Sequence, residues 1–214
     1  MQLIGLTKAV ALTTLTFTLS ATPTWSQTNQ NQALTIKNSQ VVSQRPPILY
    51  SQSQSNRDLA ETYFRRGVDY YKQGNLDLAL FNYTQAIKLN PNLANAYMGR
   101  GIVYRNQQKS DLALADYTRA IRLNPNLADA YILRGLIYEY QEKWDLALAD
   151  YNKAIGIIGI NPNYAHAYGG RGVVYRNLGD INKAREDLQR AAQLYLTQGN
   201  TAAYQRTIRL LNSL

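Results

Sequence analysis

The chain has 214 residues, 45% of them hydrophobic, so it is long enough to bury a core in one or two domains. It contains no cysteine, which excludes disulfide staples and thiolate metal sites, and its one histidine, His166, leaves little material for a zinc or imidazole-based centre. The formal net charge of +9 points to acidic partners or an anionic surface, and because the cations are interleaved with aspartates and form no dense run, nucleic acid is not expected as a partner.

At the start of the chain, Lys8 precedes an uncharged apolar run over residues 9–19, and Thr24-Trp25-Ser26 then places a small residue at each end of a tripeptide. This reads as a secretory signal over residues 1–26, cleaved after Ser26, and implies a periplasmic or secreted protein. The run is short for a bilayer-spanning helix, which needs about 20 residues; an uncleaved anchor or a buried helix are the alternatives. Residues 27–57 turn to Gln, Asn and Ser, with Pro46-Pro47 among them. Such a composition buries too little to offset its ordering entropy, and a disordered linker is expected, with a short strand near residues 40–43 or 48–50 as the alternative.

From Ala60 onward the chain repeats. Aligned on the triplets at Pro91, Pro125 and Pro162, units begin at Ala60, Ala94, Ala128 and Ala165, the first two 34 residues long and the third 37. Repeats of this period are stacked supersecondary units. Within a unit, Tyr97, Gly101 and Tyr104 recur at helical spacing, as do Leu112, Ala113, Tyr117, Ala120 and Ile121. Two amphipathic helices per unit follow. Asp77, Asp111 and Asp145 stand where the second helix should start, and the prolines where it should end.

The residues that carry the pattern are Tyr63, Gly67, Tyr70, Ala79, Tyr83, Ala86 and Pro91 in the first unit and Tyr97, Gly101, Tyr104, Ala113, Tyr117, Ala120 and Pro125 in the second. The third unit has Tyr131, Gly135, Tyr138, Ala147, Tyr151 and Ala154, with its proline displaced to Pro162; the fourth has Tyr168, Gly172, Tyr175, Ala184 and Ala191, with Leu188 in place of the aromatic. This resembles the tetratricopeptide repeat family. The resemblance implies an all-α solenoid of four stacked helix-turn-helix units, residues 60–93, 94–127, 128–164 and 165–198, within a domain spanning residues 58–214. A capping helix over residues 201–212 should close the stack, with Tyr204, Ile208 and Leu211 inward and Gln205, Arg206 and Arg209 outward.

The family's inner helices line a groove, which by resemblance would be floored here by Phe64, Val68 and Tyr71, by Met98, Ile102 and Arg105, by Ile132, Leu136 and Glu139, and by Val173 and Arg176. A mainly apolar floor with polar edges suits a protein or peptide segment, acidic or amphipathic, with an anionic membrane surface behind it. Arg66, Arg100, Arg134 and Arg171 precede the unit glycines, and three of them have an acidic candidate on the facing helix, in Asp116, Asp150 and Asp187. A structural ion pair is the expected role. The insert Gly156-Ile157-Ile158-Gly159-Ile160 lengthens the third unit's second helix or the turn after it, its isoleucines either folded onto the core or exposed as an apolar knob. With neither nucleophile elbow nor phosphate loop, no enzyme, cofactor or metal is expected. The reading is a non-catalytic scaffold for assembling an envelope or membrane complex, in the periplasm or the thylakoid lumen; the alternative is a regulatory or substrate-guiding adaptor of a periplasmic enzyme.

Overall fold

A computed structural model describes residues 47–158 and 164–214. The expected signal, the first part of the expected linker, and residues 159–160 and Pro162 lie outside them. Among the described residues there are nine helices and no strand: α1 Pro47–Lys72, α2 Leu76–Leu89, α3 Ala94–Asn106, α4 Ser110–Leu123, α5 Ala128–Tyr140, α6 Trp144–Ile158, α7 Ala165–Asn177, α8 Ile181–Thr197 and α9 Thr201–Leu211. Helices α3 and α4, α5 and α6, and α7 and α8 pack as hairpins; each hairpin leans on the next, and α9 closes against α8. Phe64, Val68 and Tyr71 of α1 join Ala79 and Tyr83 of α2 in the first apolar cluster.

Small residues set the distance between helices. The second-helix alanines Ala79, Ala113, Ala147 and Ala184 are all 0% exposed, so neighbouring backbones approach across them. The aromatic of each second helix then fills the remaining hole. The Tyr83 ring lies between Gly67 of its own unit and Gly99 of the next, close enough that a Cβ on either glycine would stand 2.7 Å from a ring carbon. Tyr151 is held likewise between Gly135 and Gly170, while Leu188 fills the smaller hole beside Gly172 in the last unit. Ile155 and Ile157 pack against the central cluster, so the described part of the insert extends α6 and turns onto the core.

The arginines before the unit glycines are structural. Arg100, Arg134 and Arg171 each present Nε and a terminal nitrogen to both carboxylate oxygens of Asp116, Asp150 and Asp187, at 2.7–2.8 Å. The third nitrogen of Arg134 reaches Thr118 and that of Arg171 reaches Asn152, both in the preceding unit. Each of these guanidiniums also lies 5.6–5.9 Å from two tyrosine rings of its own helix, for example Tyr131 and Tyr138 around Arg134. In the first unit the facing residue is Asn82, which bonds the Leu78 carbonyl instead, and Arg66 stays exposed over Tyr63.

Several local expectations are corrected. The segment read as linker is helical from Pro47, and no strand forms near residues 48–50. Proline suits a first helical turn, and once residues 60–72 are packed, adding turns in front costs one residue's ordering per hydrogen bond with no new nucleus. Residues 52–59 are accordingly exposed. The helix caps are Asn75, Asp180 and Asn200, whose side chains accept from the Leu78, Lys183 and Ala203 amides. Asp77, Asp111 and Asp145 do sit in the first turn as expected, where they face the positive end of the helix. Leu112 is 49% exposed, because α4 turns Ala113, Asp116, Tyr117, Ala120 and Ile121 inward.

The turns inside the hairpins need a left-handed residue. Gly74 and Gly179 supply it at φ +77° and +82°, whereas Gln108 and Glu142 adopt φ +61° and +57° at the corresponding places.

Two outcomes follow from this packing. Gly170→Ala drives a methyl into the Tyr151 ring and should cost about 1–3 kcal/mol in a urea melt, whereas Gly169→Ala, whose methyl would meet ordinary contacts at 3.6 and 3.7 Å, should cost nothing. Arg134→Leu strands the buried Asp150 carboxylate and should destabilise by about 3 kcal/mol with partner affinity unchanged in the folded fraction. Adding Asp150→Leu to it should recover most of that loss.

Candidate groove of the inner helices

The inner helices α1, α3, α5 and α7 present the second, fifth, ninth and twelfth positions of each unit along one face. Phe64, Val68 and Tyr71 are half-buried, the Phe64 ring 5.9 Å from that of Tyr83. Met98 and Ile102 are half-buried against the cluster of Ala113, Tyr117 and Ile137. Ile132 is only 6% exposed and belongs to the central core, so it offers a ligand almost no surface. Leu136 is 36% exposed, and Val173 is half-buried.

Leu136 lines two adjoining clefts. The first, about 530 Å³, is bounded by Arg105, Gln108, Ser110, Leu136, Ile137 and Tyr140. The second, about 210 Å³, includes Glu139, His166, Gly169, Val173, Tyr195 and Arg206. Tyr140, 86% exposed, forms the lip of the first, yet nothing in the repeat pattern marks it. Arg206 is exposed, as expected, and borders the second cleft; Ala203 and Thr207 are the buried residues of α9, with Tyr204, Ile208 and Leu211 half-buried.

The polar groups of this face divide by unit. In the third unit the Tyr151 hydroxyl donates to the Glu139 carboxylate at 2.6 Å. Burial pushes Glu139 above the usual carboxylate range, and the Tyr151 bond and the Arg176 charge pull it back. In the second unit the corresponding phenol, Tyr117, is 0% exposed and its hydroxyl has no hydrogen-bond partner. Burial pushes Tyr117 up, while Arg105, the twelfth-position residue of its unit, acts in the other direction. In the first unit Tyr83 is pushed up to about 12, by burial first and then by Tyr71 and Asp69. Next to the cap, the Tyr195 hydroxyl lies 2.8 Å from His166 Nδ1, with the two rings edge to face at 5.3 Å. Desolvation first, then the Arg206 charge, holds the imidazole below its usual range.

The cations also divide. Arg100, Arg134 and Arg171 are saturated by aspartate, whereas Arg105, Arg176 and Arg206 form no ion pair among the described residues. Among those residues no cluster of His, Asp and Glu could hold a metal ion, and no helix is long and apolar enough to cross a membrane.

A sequence model of the tetratricopeptide repeat matches residues 60–93 and 94–127, and a second model of the same repeat matches residues 126–197. The chain belongs to the tetratricopeptide repeat family. A comparison with curated proteins found no match. Among solved structures, this tetratricopeptide repeat protein is similar to a crystal structure of MamA, at 27% identity and a TM-score of 0.58, covering 66% of this chain and 81% of that one. It is similar to the Arabidopsis OM64 TPR domain at 25% identity and a TM-score of 0.53, covering 57% of this chain and 98% of that one. The first TPR of Spaghetti (RPAP3), bound to the HSP90 peptide SRMEEVD, gives 25% identity and a TM-score of 0.54, over 57% of this chain and 95% of that one. Repeats of this kind form interaction surfaces, and the face built here is of that type.

His166 gives the repeat stack a dependence on pH. Its folded-state pKa is depressed, so its contribution to stability is present above the unfolded imidazole value of about 6.5 and is lost as pH falls through the lower folded value. The stability difference between the wild-type chain and His166→Asn should therefore shrink between pH 7 and pH 5 in paired denaturant melts.

Proposed function

We propose that this protein is a non-catalytic scaffold that holds an acidic or amphipathic segment of a partner protein along its inner groove and so assists assembly of an envelope or membrane complex. The observation that carries the reading is the division of the arginines. Three are neutralised by buried aspartates in the scaffold, while Arg105 and Arg206 form no ion pair among the described residues and line the clefts that hold Leu136 and Val173. An acidic segment would be drawn by the cations and held by apolar contact, the usual division between approach rate and residence. The similar Spaghetti (RPAP3) repeat is bound to a peptide with two glutamates and an aspartate, which supports a peptide of this charge here.

Residues 1–26 would export the chain, placing the stack in the periplasm or a related lumen, with an anionic membrane surface nearby for its net positive charge. The mechanism is preorganisation: a stack held by tyrosine–glycine packing loses little freedom when a segment docks.

The full chain, expressed in its native envelope, should retain a defined set of proteins that Leu136→Asp/Val173→Asp does not retain at equal helicity. Retention by both, or by neither, would overturn the groove reading. The mature protein's mass should correspond to a chain starting at Gln27, and a mass that includes residues 1–26 would remove the export reading.

A further inference from the structure

The second helices repeat a surface of their own. The nineteenth position of the first three units is Leu78, Leu112 and Leu146, each 41–49% exposed. At the twenty-second position stand Phe81, Ala115 and Ala149, also exposed. Residues three apart share a face of a helix, so each outer helix shows a leucine beside an aromatic or a small residue. Leu178 extends the row into the fourth unit and bounds one cleft of about 450 Å³ together with Leu146 and Trp144. The charges on these helices divide by end. Asp77, Asp111 and Asp145 lie in the first turns, whereas Lys88, Arg119, Arg122 and Lys153 lie in the C-terminal halves. Asp116 and Asp150, between them, are held in the buried forks. The charges at the two ends form no ion pair among the described residues.

Acid at the front, base at the back and leucine with alanine between make this face complementary to itself when two copies run antiparallel. We propose that the outer faces of α2, α4 and α6 pair with those of a second copy of this chain, in a two-fold dimer whose helices run antiparallel across the interface. Eight residues, about 12 Å of helix, separate Asp111 from Arg119 and Asp145 from Lys153. A two-fold axis passing at Ala115 and Ala149 therefore sets Asp111 against Arg119 of the second copy and Asp145 against its Lys153. The small alanines let the helices approach, and Leu112 and Leu146 fill the space to either side. Leu78, Phe81 and Leu178 extend the apolar contact at its ends. End-to-end stacking is disfavoured. Where later units receive the preceding hairpin they have Gly99 against Tyr83 and the buried Val103, but the first unit has exposed Arg65 and Asp69 at those positions. An anionic bilayer is disfavoured too, because each leucine has an exposed aspartate beside it. The pairing is independent of what the inner groove holds.

The test is sedimentation velocity over a concentration series, with the chain purified from its native envelope. The wild-type chain should show a monomer–dimer equilibrium. Leu112→Asp/Leu146→Asp, on an exposed surface, should weaken it about a hundredfold at unchanged helicity and melting temperature, since each change counts twice about a two-fold axis. Asp111→Lys/Asp145→Lys and Arg119→Glu/Lys153→Glu should each lose the dimer by like-charge repulsion, and an equimolar mixture of the two should regain it as a heterodimer. Arg119 also lies over the Tyr97 ring, so if the second variant unfolds, Lys153→Glu mixed with Asp145→Lys carries the comparison. A wild-type chain that stays monomeric, a leucine variant that dimerises as wild type does, or a mixture no better associated than its components would overturn the inference. Co-sedimentation of a monomeric wild-type chain with phosphatidylglycerol vesicles, lost in the leucine variant, would assign the face to a membrane and overturn it as well.

Discussion

The stack depends on the contact of second-helix tyrosine rings with glycines of the inner helices, and two of those rings touch glycines of two successive hairpins. Tyr83 between Gly67 and Gly99, and Tyr151 between Gly135 and Gly170, join one hairpin to the next at a separation that no larger residue allows. Because the ring belongs to one unit and a glycine to its neighbour, the contact ties one otherwise uncovered hairpin to the next. It also fixes where the phenol hydroxyl comes out, toward the twelfth position of the inner helix. The groove chemistry is therefore a by-product of the packing: whatever residue stands at that position must deal with a buried hydroxyl.

The same geometry explains why two sets of arginines on neighbouring faces behave differently. Arg100, Arg134 and Arg171 stand where the facing helix brings up an aspartate, and tyrosines close around them, so their charge is consumed inside the scaffold. A fork of this kind adds little net stability over an apolar pair but is costly to break, which favours a fixed register between the two helices of a unit. Arg105 stands five residues further along its helix than Arg100, on the inner face, where the facing Tyr117 offers no countercharge. Charge on that face is available to a partner.

How much was legible follows residue by residue. Tyr83, Gly67 and Ala79 announced themselves because a repeated contact writes the same residue at the same interval. The Arg134–Asp150 fork was readable for the same reason, one partner always a fixed number of residues from the other. Leu112 misled because periodicity gives a helix a preferred face only to within about one residue, and its neighbour Ala113 holds the inward position. The cap was legible only in part because it occurs once, with no second copy against which to set its rotation, and Ala203 and Thr207 are its buried residues. The helix from Pro47 was missed because composition measures what a segment can bury, and this one is ordered by continuity with a packed helix behind it.

The amino-acid sequence alone determined the repeat, the pairing of helices and the identity of the residues between them, since these are local periodicities and short-range complementarities that the chain states several times. Only the tertiary structure decided that Ile132 is core and Leu136 is surface, that exposed Arg206 borders a cleft, and that the Tyr117 hydroxyl is left without an acceptor. Those outcomes depend on how far one hairpin is rotated against the next, a sum of many side-chain contacts that no single unit of the sequence contains.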